Sequence, residues 1–125
     1  MKLRTLMIIK AIVCITLGIP ILVVPVFFYS IFGLALTPAG VFTAREYGAS
    51  LIGNFLLMWF ARDVQEAKTR KAILLAMTFY NAIGFIATLA VVLAGAANVL
   101  AWAPMMLYLV LAIGFGYFLL KSPKT

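Results

Sequence analysis

Four long apolar stretches, joined by connections too short to fold as a domain of their own, take up almost all of this 125-residue chain. A helix needs about 20 mainly apolar residues to cross a hydrocarbon core of about 30 Å. The stretches meet that length at about residues 6–28, 43–61, 72–94 and 102–120. With 66% hydrophobic and 10% charged residues, a soluble domain of this size could not hide its apolar surface. The expected fold is all-α: one integral membrane domain over residues 1–125, a four-transmembrane-helix bundle with a kinked first helix.

The kink is expected at Pro20, which removes a backbone donor and clashes with the preceding turn; Thr16 lies where its hydroxyl could satisfy part of the disturbed backbone. Pro25 marks a second bend or the end of the span. Residues 27–41 mix aromatics with Gly33, Pro38 and Gly40, which suggests a short interfacial helix and a turn. Residues 62–71, RDVQEAKTRK, read as a solvated loop. The N-terminal run resembles a signal peptide but offers no small-x-small cleavage site, so it is read as a retained helix.

Ten Lys and Arg against three acids give a net charge of +7. Nine of the ten bases, including Lys2, Arg4, Lys10, Lys121 and Lys124, fall at the termini or in the 62–71 loop, and only Arg45 falls on the opposite side. By the positive-inside rule both termini and that loop are cytoplasmic in a multi-pass inner or plasma membrane protein. Trp102 and Tyr117 sit where interfacial aromatics belong. This placement accounts for the basic excess without nucleic acid as a partner; membrane lipids, and a protein partner or second copy, are expected instead.

The single cysteine, Cys14, leaves no internal disulfide, CxxC pair or thiolate metal site. The absence of histidine removes the common haem and zinc ligand and the usual near-neutral proton shuttle. Gly114 and Gly116 lack the context of a phosphate loop, and Asp63 and Glu66 lie among bases that offer simpler partners than a metal. No cofactor, metal or catalytic residue is expected.

On a helical wheel, Glu46, Ala49, Ser50, Gly53, Asn54 and Leu57 share one face of the second span, expected to look inward. Met77, Tyr80, Asn81, Gly84, Thr88, Val91 and Gly95 share a face of the third, and Ala11, Cys14, Gly18, Ile21 and Pro25 one of the first. Small residues and interhelical hydrogen bonds are what bring helices together in lipid. On that reading the stripes are packing surfaces, with Asn54 and Asn81 bonded to each other across neighbouring antiparallel helices. The functional reading makes Arg45, Glu46, Ser50, Asn54, Tyr80, Asn81 and Thr88 a candidate ligand or ion site, with Glu46 at its outer mouth.

The segment PVFFYSIFGLALTPAGVFTAREYGASLIGNFLLMWFARD, with Pro25, Gly33, the run Arg45-Glu46-Tyr47-Gly48-Ala49 and Gly53, resembles small bacterial and archaeal four-helix membrane proteins, loosely the DoxX group. The resemblance covers about the first half of the chain and implies a four-span fold. DoxX-type proteins are often associated with membrane oxidoreductase systems; this sequence carries no redox motif of its own, so that link is an analogy. The expected function is non-catalytic: helix packing as an accessory subunit of a membrane complex or as a homo-oligomer. The alternatives are a small transporter or a small-molecule or lipid-binding protein built on the second and third spans, and, ranked last, a membrane enzyme acting on a lipid or quinone. In that last reading Arg45 holds an anionic headgroup and Tyr47 or Tyr80 serves as the acid.

Overall fold

The computed structural model describes residues 2–121, and the described residues are helical with no strand. Helix α1 spans Leu3–Val23, α2 Pro25–Ser30, α3 Pro38–Phe60, α4 Ala67–Leu93 and α5 Trp102–Leu120, the last preceded by a 3-10 turn at Val99–Ala101. Three segments are long and apolar enough to cross a membrane: Leu3–Val23, Ala67–Leu93 and Val99–Leu120. Large apolar side chains such as Phe79, Ile86, Val110 and Ile113 lie exposed along them, as lipid-facing residues do, and the protein is membrane-embedded. Helix α3 is as long, about 34 Å at 1.5 Å per residue, but Arg45, Glu46 and Asn54 lower its hydropathy.

Element boundaries follow local chemistry. Pro20 stays inside α1, and the chain breaks only at Val24, whose φ of −132° and ψ of 60° leave the helical region before Pro25 opens α2. Thr37 caps α3, its hydroxyl accepting from the Gly40 amide at 3.1 Å, with Pro38 in the first turn where a missing N–H costs nothing. This cap starts the helix five residues before the Thr43 expected from hydropathy alone. Likewise α4 begins at Ala67 rather than residue 72, because Ala67-Lys68-Thr69-Arg70-Lys71 is a run that tolerates helix well. Glu66 accepts a hydrogen bond from Thr69 in that first turn. The 62–71 segment is thus half loop and half helix.

The helices pack as two antiparallel pairs, α1 with α3 and α4 with α5. Gly18 and Gly48 carry the first pair: a Cβ on Gly48 would lie 2.7 Å from the Leu22 nitrogen and 2.9 Å from the Gly18 oxygen, so the backbones touch. Gly84 serves the second pair, leaving the place of a side chain to the Tyr108 ring. The expectation that α3 and α4 are direct neighbours is corrected: the extensive contacts lie within the pairs, and α1 bridges to α5.

At one end the pairs merge in a core of Leu3, Leu6, Met7, Ala11, Met58, Leu74, Met77, Leu111 and Phe115. Arg4 adds a 2.7 Å ion pair with Asp63 in the α3–α4 connection. Lys2, Arg4, Arg62, Lys68, Arg70, Lys71 and Lys121 all belong to this end by topology; Lys124 lies outside the described residues. At the other end Asn98 clasps the two connections together. Its amide side chain donates to the Ile31 oxygen at 2.9 Å, its backbone N–H donates to the Phe32 oxygen at 2.9 Å, and its Oδ1 accepts from the Leu100 amide at 3.0 Å. Asn98→Ala removes both side-chain bonds at an exposed site, where each is worth about 0.5–1.5 kcal/mol. We expect a small drop in melting temperature and faster amide exchange confined to residues 31–34 and 98–101, read by hydrogen-exchange mass spectrometry.

Candidate functional site

Between the two ends the helix pairs part, leaving a cavity of about 560 Å³, within the range of small-molecule sites. Its apolar wall includes Val13, Leu17 and Ile21 of α1, Val91 of α4, and Leu107 and Leu111 of α5. Phe28 and Tyr29 of α2, with Phe32 and Leu34 after it, also line it. The short helix expected after the first span therefore contributes to the cavity wall. Few groups break the apolar character: Lys10, Cys14, Tyr29, Tyr47, Thr88 and Tyr108.

Lys10 is the residue that sequence reasoning misplaced. Its charge and position in the sequence group it with the terminal bases, yet it lies eight residues into α1 and is 2% exposed. Its ammonium donates to Asn81 Oδ1 at 3.2 Å and stands 4.6 Å from the centroid of the Tyr80 ring. Asn81, itself fully buried, is held in register by its own amide, whose Nδ2 donates to the Met77 carbonyl at 2.7 Å. That bond fixes which end of the side chain faces Lys10, since only the oxygen can accept. The signal was present as spacing: Met7, Lys10, Cys14, Gly18 and Ile21 recur at three- and four-residue steps, and all are buried.

A second polar group sits on the wall. The Tyr47 and Tyr108 hydroxyls are hydrogen-bonded to each other across the cavity's flanking helices, and the Tyr80 and Tyr108 rings lie 6.3 Å apart. The Tyr80 hydroxyl is buried and belongs to the same cluster as those of Tyr47 and Tyr108. Thr88 lines the cavity and turns its hydroxyl back to the Gly84 carbonyl at 2.8 Å.

The candidate residues read from the sequence thus divide. Tyr80 and Asn81 surround Lys10, and Thr88 lines the cavity. Arg45, Glu46 and Ser50 are exposed on the other side of α3, away from the cavity, where Arg45 and Glu46 border a shallow groove with Pro38, Val41, Phe42 and Ala49. Asn54 is half-buried; its amide donates to the Ser50 carbonyl at 2.8 Å and its Oδ1 is unpartnered. The expected Asn54–Asn81 bond does not form, because Asn81 is engaged with Lys10 and Met77.

The inward orientation expected for the Glu46–Leu57 stripe is corrected as well. Helix α3 buries Ala44, Gly48, Leu51 and Met58, with Gly48 in direct backbone contact with α1. Ala49, Ser50, Gly53 and Leu57 are left on the exposed side. Comparison with family models, curated proteins and solved structures gives no match.

Proposed function

We propose that this chain is a four-span membrane protein that binds a small lipophilic molecule between its two helix pairs. The observation that carries the reading is the cavity itself, an apolar space with a buried lysine at the edge of the merged core. A bundle selected for packing alone would fill such a gap with side chains, since an empty space forfeits dispersion contacts. A lysine there raises the cost further: intramembrane cations are expensive and commonly mark function.

The fourth span is α3, antiparallel to α1 and long enough to cross. Glu46 lies about 12 Å from its N-terminus at 1.5 Å per residue, within reach of the interface. The bases at the α1 N-terminal end support an inner or plasma membrane protein with that end, and so both termini, in the cytoplasm. Tyr117 and Lys121, whose ammonium stands 4.7 Å over the Tyr117 ring, fit an interfacial anchor at the same end.

The test is to purify the full chain from its own membrane in mild detergent and analyse the particle by native mass spectrometry. A retained small molecule, one per chain and lost in the cavity-filling variant Ala87→Phe, is the expected result. Equal small-molecule content in both forms would remove the cavity from the account.

The second reading, a non-catalytic accessory subunit or homo-oligomer, is favoured by the exposed side of α3. Arg45, Glu46 and Ser50 project there with Gly53, and polar groups facing lipid gain from a partner helix. In the same spectra, a fixed ratio of a second polypeptide or of chain copies supports it.

A further inference from the structure

We infer that the occupant of the cavity is an amphiphile with an anionic head, a long-chain carboxylate, its head against Lys10 and its tail running toward α2. The inference rests on the ligand-binding reading above and adds the chemistry of the ligand. An ammonium has three donors and no acceptor. One donor of Lys10 is taken by Asn81 Oδ1, the Cys14 sulfur lies beside a second, and the Tyr80 ring faces the charge without accepting a full hydrogen bond, which leaves one donor for a ligand. The three acids of the chain are Glu46, exposed on the far side of α3, and Asp63 and Glu66 in the α3–α4 connection. None is an ion-pair partner of Lys10 among the described residues; Asp63 pairs with Arg4 and Arg62. Among the described residues the cavity is therefore edged by one buried basic side chain with no acid opposite it.

The other oxygen-bearing side chains on the wall are hydroxyls, which both donate and accept, so the donor-only group is Lys10. Tyr47 and Tyr108 share one hydrogen bond between two hydroxyls, with Tyr80 in the same cluster. Thr88 spends its proton on the Gly84 carbonyl. A basic side chain with a spare donor and no acid opposite matches a carboxylate, which accepts only, and a charge-assisted bond is about twice as strong as a neutral one.

The apolar wall continues along α1 from Lys10 through Val13 and Leu17 to Ile21, about 16 Å at 1.5 Å per residue. That depth suits an extended acyl chain of medium length. The tail would end against Phe28 and Tyr29 of α2.

The experiment measures binding of radiolabelled dodecanoate to the purified full chain, with dodecanol and dodecyltrimethylammonium as competitors of the same chain length. The expected order is dodecanoate tighter than dodecanol by roughly tenfold or more, the increment of one charge-assisted bond, with the cation weakest. Lys10→Met is expected to erase the preference for dodecanoate over dodecanol, and Lys10→Arg to keep it. Thermal melting of each variant shows that it is folded. Equal affinity of the wild type for dodecanoate and dodecanol overturns the anionic head while leaving the cavity a ligand site. Failure of every probe to bind, or to compete, overturns both. A preference for dodecanoate that survives Lys10→Met assigns the head to another group and overturns the role of Lys10.

Discussion

Gly48→Leu is expected to yield no folded, monodisperse protein, and Gly48→Ala to melt well below the wild type. A methyl group at Gly48 would meet the Leu22 nitrogen at 2.7 Å, the Gly18 oxygen at 2.9 Å and the Leu22 Cα at 3.0 Å. All three are backbone atoms, so no rotamer change can relieve the clash; α1 itself has to move. Overpacking of this kind typically costs about 1–3 kcal/mol for a small group and more for a larger one. In lipid the loss weighs heavily, because the α1–α3 pair depends on close contact rather than on hydrophobic exclusion from water. The internal control is Gly53→Ala on the same helix. Nothing lies within 4 Å of a Cβ built there, and replacing glycine by alanine inside a helix gains about 0.5–1 kcal/mol. Melting in detergent, with size-exclusion profiles to report assembly, should separate the two glycines sharply. If Gly48→Leu melts with the wild type, the Gly18–Gly48 contact does not set the α1–α3 pairing.

The same glycine explains why some of this architecture was legible in the sequence and some was not. In α1 Ala11, Cys14, Gly18 and Ile21 are buried, as is Pro25 at the start of α2, and in α4 Met77 and Asn81 are buried while Leu75, Phe79, Ile86 and Leu93 face out. In both helices one side carries the small and polar groups and the other the bulky ones, and the periodicity decides. Helix α3 has small residues on two sides, Ala44 and Gly48 on one, Ala49, Ser50 and Gly53 on the other. For a helix in water the polar face would be the solvent face; in a bilayer both neighbours are apolar, so polarity does not separate inside from outside. Steric fit to Gly18 made the choice, and a single sequence does not reveal which glycine meets which. Boundaries were missed for a different reason: hydropathy marks where a helix leaves lipid, whereas Thr37-Pro38 and Ala67 mark where the backbone begins to coil. Charge alone groups Lys10 with the terminal bases, whereas its spacing from Met7 and Cys14 puts it on the buried face.

Lys10 and Asn81 should therefore behave as a coupled pair whose parts have opposite effects on stability. Asn81→Leu removes the acceptor of a buried cation and is expected to lower stability by about 2–3 kcal/mol, the loss for a charged donor left unsatisfied. Lys10→Met removes the cation and fills similar space with an apolar side chain. By analogy with buried charges replaced by hydrophobic groups, it is expected to leave stability unchanged or raise it, by about 1–4 kcal/mol at most. The double substitution should recover most of what Asn81→Leu loses, giving a coupling of about 1.5–3 kcal/mol across the two helices. Denaturation of all four proteins in the same detergent measures it. Additive effects would mean that the 3.2 Å contact between the two side chains contributes nothing to the fold. A more stable Lys10→Met protein that has lost its preference for a carboxylate ligand would explain why a lysine occupies a place where a methionine packs better: the bundle gives up stability to keep one unpaired positive charge facing its cavity.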